Sequence, residues 1–393
     1  MVSYSSIIAS GQTSSSQRYD VLIAGGAVMG SSVALFLKRL APASTVAVVE
    51  PDDLYEFAST LRASGGARRL FSCPENIAMS NFSLGFISAL PDVGWKKGGY
   101  LFIVPPEGVA ALTANYDTQR QLGVRVELLD RPALQARFPS MHTADLAAGA
   151  HSLDDGWCDP HSLLQWLRRE ARSLGVDYLR DRVVGLEHSG DAIRQARLAS
   201  GVTLSADFFV NAAGAWSKEV CAMIGMPLPV EPLRRFEHYF ETPNRIEPLP
   251  YLKDLARLAF RPEGRGYSGG LVKSDEPRGF NFDLDHDYFE SVVWPALAHR
   301  FPAFEACRCV RTWSGLYEQS ELDGNPVIGN WPGRAENFFV VSGFSGHGMM
   351  HAPAAGRAIA ELIVHRRFET IDLSRFGYAR VAANQPYAER GIL

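Results

Sequence analysis

No two cysteines of this 393-residue chain stand at Cys-x-x-Cys spacing. The five present, Cys73, Cys158, Cys221, Cys307 and Cys309, are an odd number, which argues against a disulfide framework, a zinc knuckle or a redox pair. They are expected as reduced thiols in a reducing compartment. No apolar run approaches the roughly 20 residues that cross a bilayer, so no membrane span is expected. Lysine and arginine are missing from residues 1–17, which argues against a secretory n-region or an arginine-rich transit peptide there. That serine-rich segment reads as a flexible tail, and the expected location is cytoplasmic. Outside His365-Arg366-Arg367 no basic run exceeds two residues, and the formal charge is -4. Nucleic acid and anionic membrane surfaces are therefore not expected partners. No His, Asp and Glu set stands at metal-ligand spacing and no serine or cysteine sits in a nucleophile elbow. The expectation is no metal, and a small-molecule partner.

Apolar residues make up 46% and charged residues 21%, enough to bury a substantial interior. At this length two interlocked domains are the natural division. The best-defined stretch runs from Tyr19. An apolar strand, Asp20 to Ala24, leads into the turn Gly25-Gly26-Ala27-Val28-Met29-Gly30 and a helical run from Ser31 to Leu40. A second apolar strand, Thr45 to Val49, ends in Glu50-Pro51. This is a βαβ unit buried on both faces. A dinucleotide site needs a tight turn, close backbone approach to the diphosphate, close helix–strand packing and an acid on the second strand for ribose. Gly25, Gly30 and Glu50, 20 residues after Gly30, meet three of these in order. Ala27 occupies the second glycine position, where its methyl is expected to push the diphosphate outward.

Further on, Ser59 to Arg69 reads as an ordered loop, Gly99 to Val104 as a strand, and Pro160 to Leu174 as a helix with Gly175 past its end. Asp207 to Asn211 is a buried strand. Between about Glu231 and Arg311, short apolar runs broken by Pro and Gly predict antiparallel sheet. The α/β pattern then returns with the strand Phe338 to Val341, the turn Gly343 to Gly348 and a helix from Met349 to Arg366.

Four segments together resemble the FAD-dependent oxidoreductases of the D-amino-acid oxidase family, which includes glycine-, sarcosine- and dimethylglycine-oxidising enzymes. They are the Gly25 to Gly30 turn with Glu50; Ser64-Gly65-Gly66-Ala67-Arg68; Asn211 to Trp216; and Trp313 to Gly329 with Gly343-Phe344-Ser345-Gly346-His347-Gly348. The segments Trp313 to Tyr317 and Gly343 to Ile359 are most similar to the branch containing the mitochondrial FAD-dependent oxidoreductase involved in complex I assembly. The fold class implied is α/β, a Rossmann-type FAD-binding domain interlocked with a mostly antiparallel-sheet substrate domain. The expected division is a tail over 1–18, an FAD-binding domain over 19–92, 153–230 and 322–380, a substrate domain over 93–152 and 231–321, and a C-terminal tail over 381–393. The resemblance implies non-covalent FAD. It assigns Gly25 to Gly30, including Gly26, Val28 and Met29, to the diphosphate, Glu50 to the ribose, and Ser64, Gly65, Gly66 and Arg68 to the isoalloxazine. Ala213 and Gly214 fall near the adenine side, Gly315 and Tyr317 to the ring and substrate, and Pro51, Ser59, Val184 and Trp216 are further cofactor contacts. Gly343, Ser345, Gly346, His347, Gly348 and Met349 fall to the flavin's pyrimidine edge, where the positive end of a helix suits the charge a reduced flavin develops. The alanine face of that helix, Ala352, Ala354, Ala355 and Ala358, is expected against the cofactor.

Several positions depart from the family pattern. Relatives with covalent flavin carry a cysteine where this chain has Gly315; Cys73 is the alternative attachment point. Three family carboxylate clamps are replaced, falling at Tyr317, Phe71 and Met350. Arg261, Arg265 and Arg235 are the cations open to that task, unless the substrate is not a simple α-amino acid. Tyr317, Arg68, Arg261 and His347 are the candidate catalytic residues, each weighed against a role in packing or ion pairing. His238 and Tyr239 alternate on a strand, so one faces the flavin. The expected chemistry is oxidation of a C–N bond in a secondary amine or amino acid by hydride transfer to flavin N5, carried by positioning and electrostatics without a strong base. Oxygen or another acceptor takes the electrons, with Lys273 the candidate for an oxygen-activating lysine. Two alternatives stay open: 2-hydroxy-acid oxidation, which requires a histidine base over the flavin, and a non-catalytic assembly or binding role. Oligomeric state is open.

Overall fold

The computed structural model describes residues 17–391. Residues 1–16 of the expected tail lie outside them, and residues 17 and 18 already belong to the first strand. The chain enters as β1 (Gln17–Ala24), α1 (Val28–Leu40) and β2 (Val46–Glu50). The helix therefore starts inside the glycine turn, three residues before the expected Ser31, so its free amides begin where the turn closes. The Ser59 to Arg69 stretch is not a plain loop. It forms a 3₁₀ turn over Ser59–Arg62 and the short strand β3 (Gly66–Ala67), followed by α2 (Pro74–Ser88) and β4 (Tyr100–Val104). Then come α3 (Val109–Gln121), β5 (Val126–Asp130), α4 (Arg131–Arg137), β6 (Ala148–Ser152) and β7 (Gly156–Trp157), which pairs with β3. Helix α5 (Pro160–Ser173) is capped by Asp159, whose carboxylate accepts from the His161 and Ser162 amides, and it ends at Gly175 with φ +87°.

Strands β8 (Val176–Arg180), β9 (Val183–Ser189), β10 (Ala192–Leu198) and β11 (Thr203–Asn211) lead to α6 (Ser217–Ala222). The long β12 (Val230–Glu241), β13 (Tyr251–Asp254), β14 (Leu258–Glu263), β15 (Gly266–Leu271), α7 (Trp294–Arg300) and β16 (Arg308–Ser320) follow. Strands β17 (Val327–Trp331) and β18 (Ala335–Ser342), α8 (Gly348–His365) and α9 (Tyr378–Ala382) close the chain.

Two eight-stranded sheets result. The first runs β17-β18-β11-β1-β2-β8, with β10 paired to β11 and β9 to β10. Its centre is parallel, and the near-continuous apolar runs of β1, β2 and β18 suit burial on both faces. The second runs β16-β12-β15-β14-β13-β4-β6-β5 and is antiparallel except at β13–β4. This is the α/β fold with a mostly antiparallel second sheet that the sequence implies. No helix among the described residues is long and apolar enough to cross a membrane.

The described part of the C-terminal segment is stitched down. Glu389 accepts from the Ser72 and Cys73 amides and, at 2.6 Å, from Asn76 Nδ2, and so caps the N-terminus of α2 from the far end of the chain. Tyr387 accepts through its carbonyl from Asn325 Nδ2 at 2.6 Å and donates its hydroxyl to Glu75 at 2.8 Å. The alanine face of α8 packs on helices rather than toward a ligand. Ala352, Ala354, Ala355 and Ala358 are buried, the Ala354 amide donates to Ser83 Oγ of α2, and Gly356 lies directly on Ser32 of α1.

Candidate functional site

A cavity of about 1030 Å³ runs from the β1–α1 turn to the face of the antiparallel sheet. Ligand sites commonly enclose roughly 300–1,000 Å³, so this volume suits a large cofactor together with a small substrate. At one end lie Gly25, Ala27, Val28, Met29, Glu50, Pro51, Val184, Ala213, Gly214 and Trp216. Ser59 and Ser64 line its middle, and Gly315, Tyr317, Gly346, Gly348 and Met349 its other wall.

The turn is built for close backbone approach. Gly25 has φ +97°, and a methyl there would overlap the Ala212 carbonyl oxygen; one at Gly30 would overlap the Gly25 carbonyl oxygen. Ala27 sits in extended backbone, with φ -67° and ψ -166°, so alanine is unstrained where the motif places glycine. The Glu50 carboxylate accepts from the Gly26 amide at 2.8 Å and the Asp52 amide at 3.1 Å, which ties β2 to the turn. Burial pushes its carboxyl above the usual range, partly offset by those two amides. Gly26 and Gly30 shape the turn from behind without lining the cavity. The tight turn that only glycine at positions 25 and 30 permits, the acid beside it and the enclosed volume fit an adenine dinucleotide.

Several expected site residues are placed off the cavity. Arg68 is buried with its guanidinium 3.8 Å from the centre of the Phe71 ring and donating to the Leu70 carbonyl, while its own amide meets Met350 Sδ. Gly65, with φ +78°, fits against the Cys158 carbonyl, and Gly66 packs beneath the Tyr100 and Tyr251 rings. Arg261 is spent on structure: Nε donates to the Ser64 carbonyl at 2.6 Å, and Nη1 pairs with Glu263. Arg265 is 91% exposed at its side chain, and Lys273 pairs with Asp285 at 3.1 Å. Neither reaches the cavity. His347 stands at the N-cap position of α8 with its ring in a nest formed by Phe71, Phe344 and His351. Burial, with His351 second, drives its pKa well down, so it stays neutral. Gly343 packs on Val230, and Ser345 Oγ accepts from the Ser320 amide; both hold the turn rather than face the cavity. Cys73 is buried beside Glu389 and Asn325, away from the cavity.

Period-two alternation decides which side chains of the second sheet face inward. Register pairs Arg235 with Gly315, Leu233 with Tyr317 and Glu237 with Trp313, which puts Arg235 and Glu237 on the Gly315 face. His238 points the other way, its ring 5.2 Å from Phe289 and its Nδ1 2.9 Å from Thr312 Oγ1, with its pKa lowered to about 4 by burial. Tyr239 shares the inward face but lies beyond the cavity and donates to Glu241 at 3.0 Å. Among the described residues lining the cavity there is no histidine.

Residues absent from the sequence-derived site also line the cavity: Tyr55, Arg62, Glu237, Tyr251, Lys253 and Glu318. Tyr251 stacks on Tyr100 at 4.4 Å and shares a 2.8 Å hydrogen bond with Ser64 Oγ. Burial brings the Lys253 ammonium down to about 7, with Arg68 and Arg257 adding to the effect. The signal for Glu237 was present once Arg235 was considered, since residues two apart on a strand share a face. The lysine lies on β13, four residues long, too short to show a pattern.

Glu318 joins the two loops at the cavity's far wall. Its carboxylate accepts from Ser342 Oγ at 2.7 Å and the Phe344 amide at 3.4 Å, and desolvation raises its pKa to about 7. The folded state thus keeps a proton that the unfolded state sheds near an ordinary glutamate pKa of about 4.3. Its stabilising contribution is full below that value and is lost as pH rises through about 7. In urea unfolding of the apoprotein, Glu318→Gln is expected to gain on wild type by about 2–3 kcal/mol between pH 5 and pH 8. A pH-independent difference would contradict this ionisation.

One cluster that sequence spacing did not show lies elsewhere: His142, Asp145 and His299 bring ligand atoms within 4.8 Å of one another. Arg300 already pairs with both Asp145 oxygens at 2.9 Å, so the carboxylate's charge is matched within the protein.

The profile of the family DAO, FAD dependent oxidoreductase, matches residues 20–362. The chain is 36% identical to "FAD-dependent oxidoreductase domain-containing protein 1" of Xenopus laevis, over 96% of this chain and 85% of that protein. It is 26% identical to the glycine oxidase of Geobacillus kaustophilus, over 92% of this chain and 97% of that one. Among solved structures, L-proline dehydrogenase from P. horikoshii superposes with a TM-score of 0.86 at 23% identity, covering 95% of this chain and all of that one.

Proposed function

From the premise that this chain belongs to the FAD-dependent oxidoreductase family DAO, we propose that it oxidises the C–N bond of a small secondary amine or amino acid. FAD is its cofactor. The residues that would hold it are the Gly25 to Gly30 turn and the N-terminus of α1 at the diphosphate, Glu50 at the ribose, Val184 and Ala213 on the adenine side, and Ser64, Gly315 and the Gly346 to Met349 segment around the ring. When bound, the flavin supplies a two-electron acceptor.

The observation that carries the amine reading is the composition of the substrate end. Arg235, Glu237, Tyr251, Lys253 and Tyr317 converge there, and no histidine accompanies them among the lining residues. Arg235 and Glu237 on one strand face offer partners to both the carboxylate and the cationic nitrogen of an amino acid, whereas a 2-hydroxy acid would bring no cation to meet the Glu237 carboxylate; the lining therefore favours the amine. Tyr317 stands under the Arg235 guanidinium at 5.1 Å from the ring centre, and burial raises its phenol pKa, so it stays protonated as a hydrogen-bond donor. The desolvated cavity strengthens each of these contacts on a bound substrate.

Anaerobic mixing of the holoprotein with N-methyl amino acids, imino acids, D-amino acids and 2-hydroxy acids tests the proposal by loss of flavin absorbance. An amine or amino acid is expected to bleach the flavin and the hydroxy acids to leave it unchanged. Bleaching by dithionite alone would overturn it in favour of a non-catalytic role.

A further inference from the structure

We propose that Arg235 and Glu237 form a two-ended clamp that selects a zwitterion, the guanidinium taking the substrate carboxylate and the Glu237 carboxylate taking the substrate nitrogen with its proton. This deepens the amine-oxidation reading and rests on it.

Arg235 is the part the fold leaves incomplete. Its Nη1 donates to the Arg234 carbonyl at 3.2 Å, but its Nε is buried with no hydrogen-bond partner. Among the described residues no carboxylate lies within ion-pair distance of its guanidinium, although the neighbouring Arg234 pairs with Glu276 at 2.6 Å. A part-buried guanidinium cannot shed its proton, so the fold carries a charge whose cost an incoming anion relieves. The planar fork matches a carboxylate through two parallel hydrogen bonds. Neither of the other two arginines open to this task is available: Arg261 is committed to Ser64 and Glu263, and Arg265 lies outside the cavity.

Glu237 stands two residues along the same strand face, about 6.6 Å away by strand geometry. One of its oxygens accepts from Ser268 Oγ at 2.7 Å, which leaves the other for a ligand. Tyr251, Tyr317 and Arg261 act on it from the adjoining strands, and Lys253 and Arg235 line the same end of the cavity. Desolvation lifts its pKa to about 7, which makes it a better proton acceptor than an ordinary carboxylate. An α-amino acid has a carboxylate and nitrogen close enough for hydrogen bonds of about 2.8 Å at each end to span the two side chains. Proton transfer from the substrate ammonium to Glu237 leaves a neutral amine and a neutral acid, with no charge created, and it frees the nitrogen lone pair that oxidation needs.

The test uses ligands that cannot react. Glycine betaine carries both charges and has no nitrogen lone pair, propionate carries only the anion, and tetramethylammonium only the cation. Binding of each to the holoprotein is followed by perturbation of the flavin spectrum. Wild type is expected to bind betaine at least about tenfold more tightly than either half. Arg235→Gln should weaken betaine and propionate about tenfold and leave tetramethylammonium unchanged; Glu237→Gln should do the reverse. Should Arg235→Gln lose its flavin, Arg235→Lys replaces it, and the loss of the fork is expected to weaken propionate about tenfold. Equal affinity of wild type for all three ligands, or both variants weakening all three alike, would overturn the clamp. Since betaine cannot be oxidised, these outcomes are independent of bleaching: a flavin that no amine reduces sinks the proposed reaction, whereas a failed betaine series sinks the clamp alone.

Discussion

A Gly30→Ala variant is expected to be purified colourless and to bind added FAD on the order of 100-fold more weakly than wild type. The added methyl would stand 1.9 Å from the Gly25 carbonyl oxygen and 3.2 Å from Ile23 Cγ2. Backbone cannot yield as a side-chain tip can, so α1 has to move off β1, and the amides of Ala27, Val28 and Met29 lose their common aim. Those amides and the helix dipole are what the chain offers a diphosphate. Ala27→Gly is the matched control. Position 27 already has extended backbone, so the substitution relieves no strain and only removes a methyl from the cavity wall; its FAD affinity should equal or exceed that of wild type. Quenching of FAD fluorescence on titration with apoprotein measures both variants. A yellow, stoichiometrically loaded Gly30→Ala protein would mean that the turn does not hold the cofactor.

The turn was legible because its demands are local. Gly25, Gly30 and Glu50 lie within one βαβ unit, and each answers to a steric or hydrogen-bonding need that spacing alone expresses. The same holds for α5, whose Pro160, capping Asp159 and closing Gly175 mark both ends. Helix α2 gave no such signal. Its buried face mixes polar Asn76, Ser80 and Ser83 with apolar Ile77 and Leu84, so no apolar stripe marks it.

The substrate end is harder to read, because it is assembled from β12, β13 and β16, which meet only through sheet register. Arg68 and His347 carry suggestive chemistry next to glycines, yet both turn toward Phe71 rather than the cavity. Sequence could place them near the flavin segments but could not tell front from back. Arg261 raises the same difficulty from the other side: its strand position faces inward, and its guanidinium is consumed by Ser64 and Glu263. Burial class and partner supply, which decide whether a charge is available to a ligand, are properties of the fold.

The small residues of α8 make the same point energetically. A row of alanines beside the glycine turn invites assignment to the cofactor, but the structure sets it against α1 and α2. A β-carbon at Gly356 would stand 2.6 Å from Ser32 Cβ, 2.7 Å from Ser32 C and 2.8 Å from the Val33 amide nitrogen. Two of those three atoms are backbone, so the crossing can accommodate a larger residue only by separating the helices. Both helices belong to one buried core with Ile23, Val48 and Ile359, and separation opens packing along their length. Gly356→Val is therefore expected to cost about 3 kcal/mol in urea unfolding of the apoprotein. Position 356 does not line the cavity, so any loss of FAD binding should track the loss of fold and disappear under conditions that restore it, such as added osmolyte. Gly30→Ala also costs stability, but its FAD affinity should stay low under the conditions that restore the fold. If Gly356→Val were as stable as wild type, the helices would not cross this closely; if it lost FAD while fully folded, the alanine face would belong to the cofactor after all.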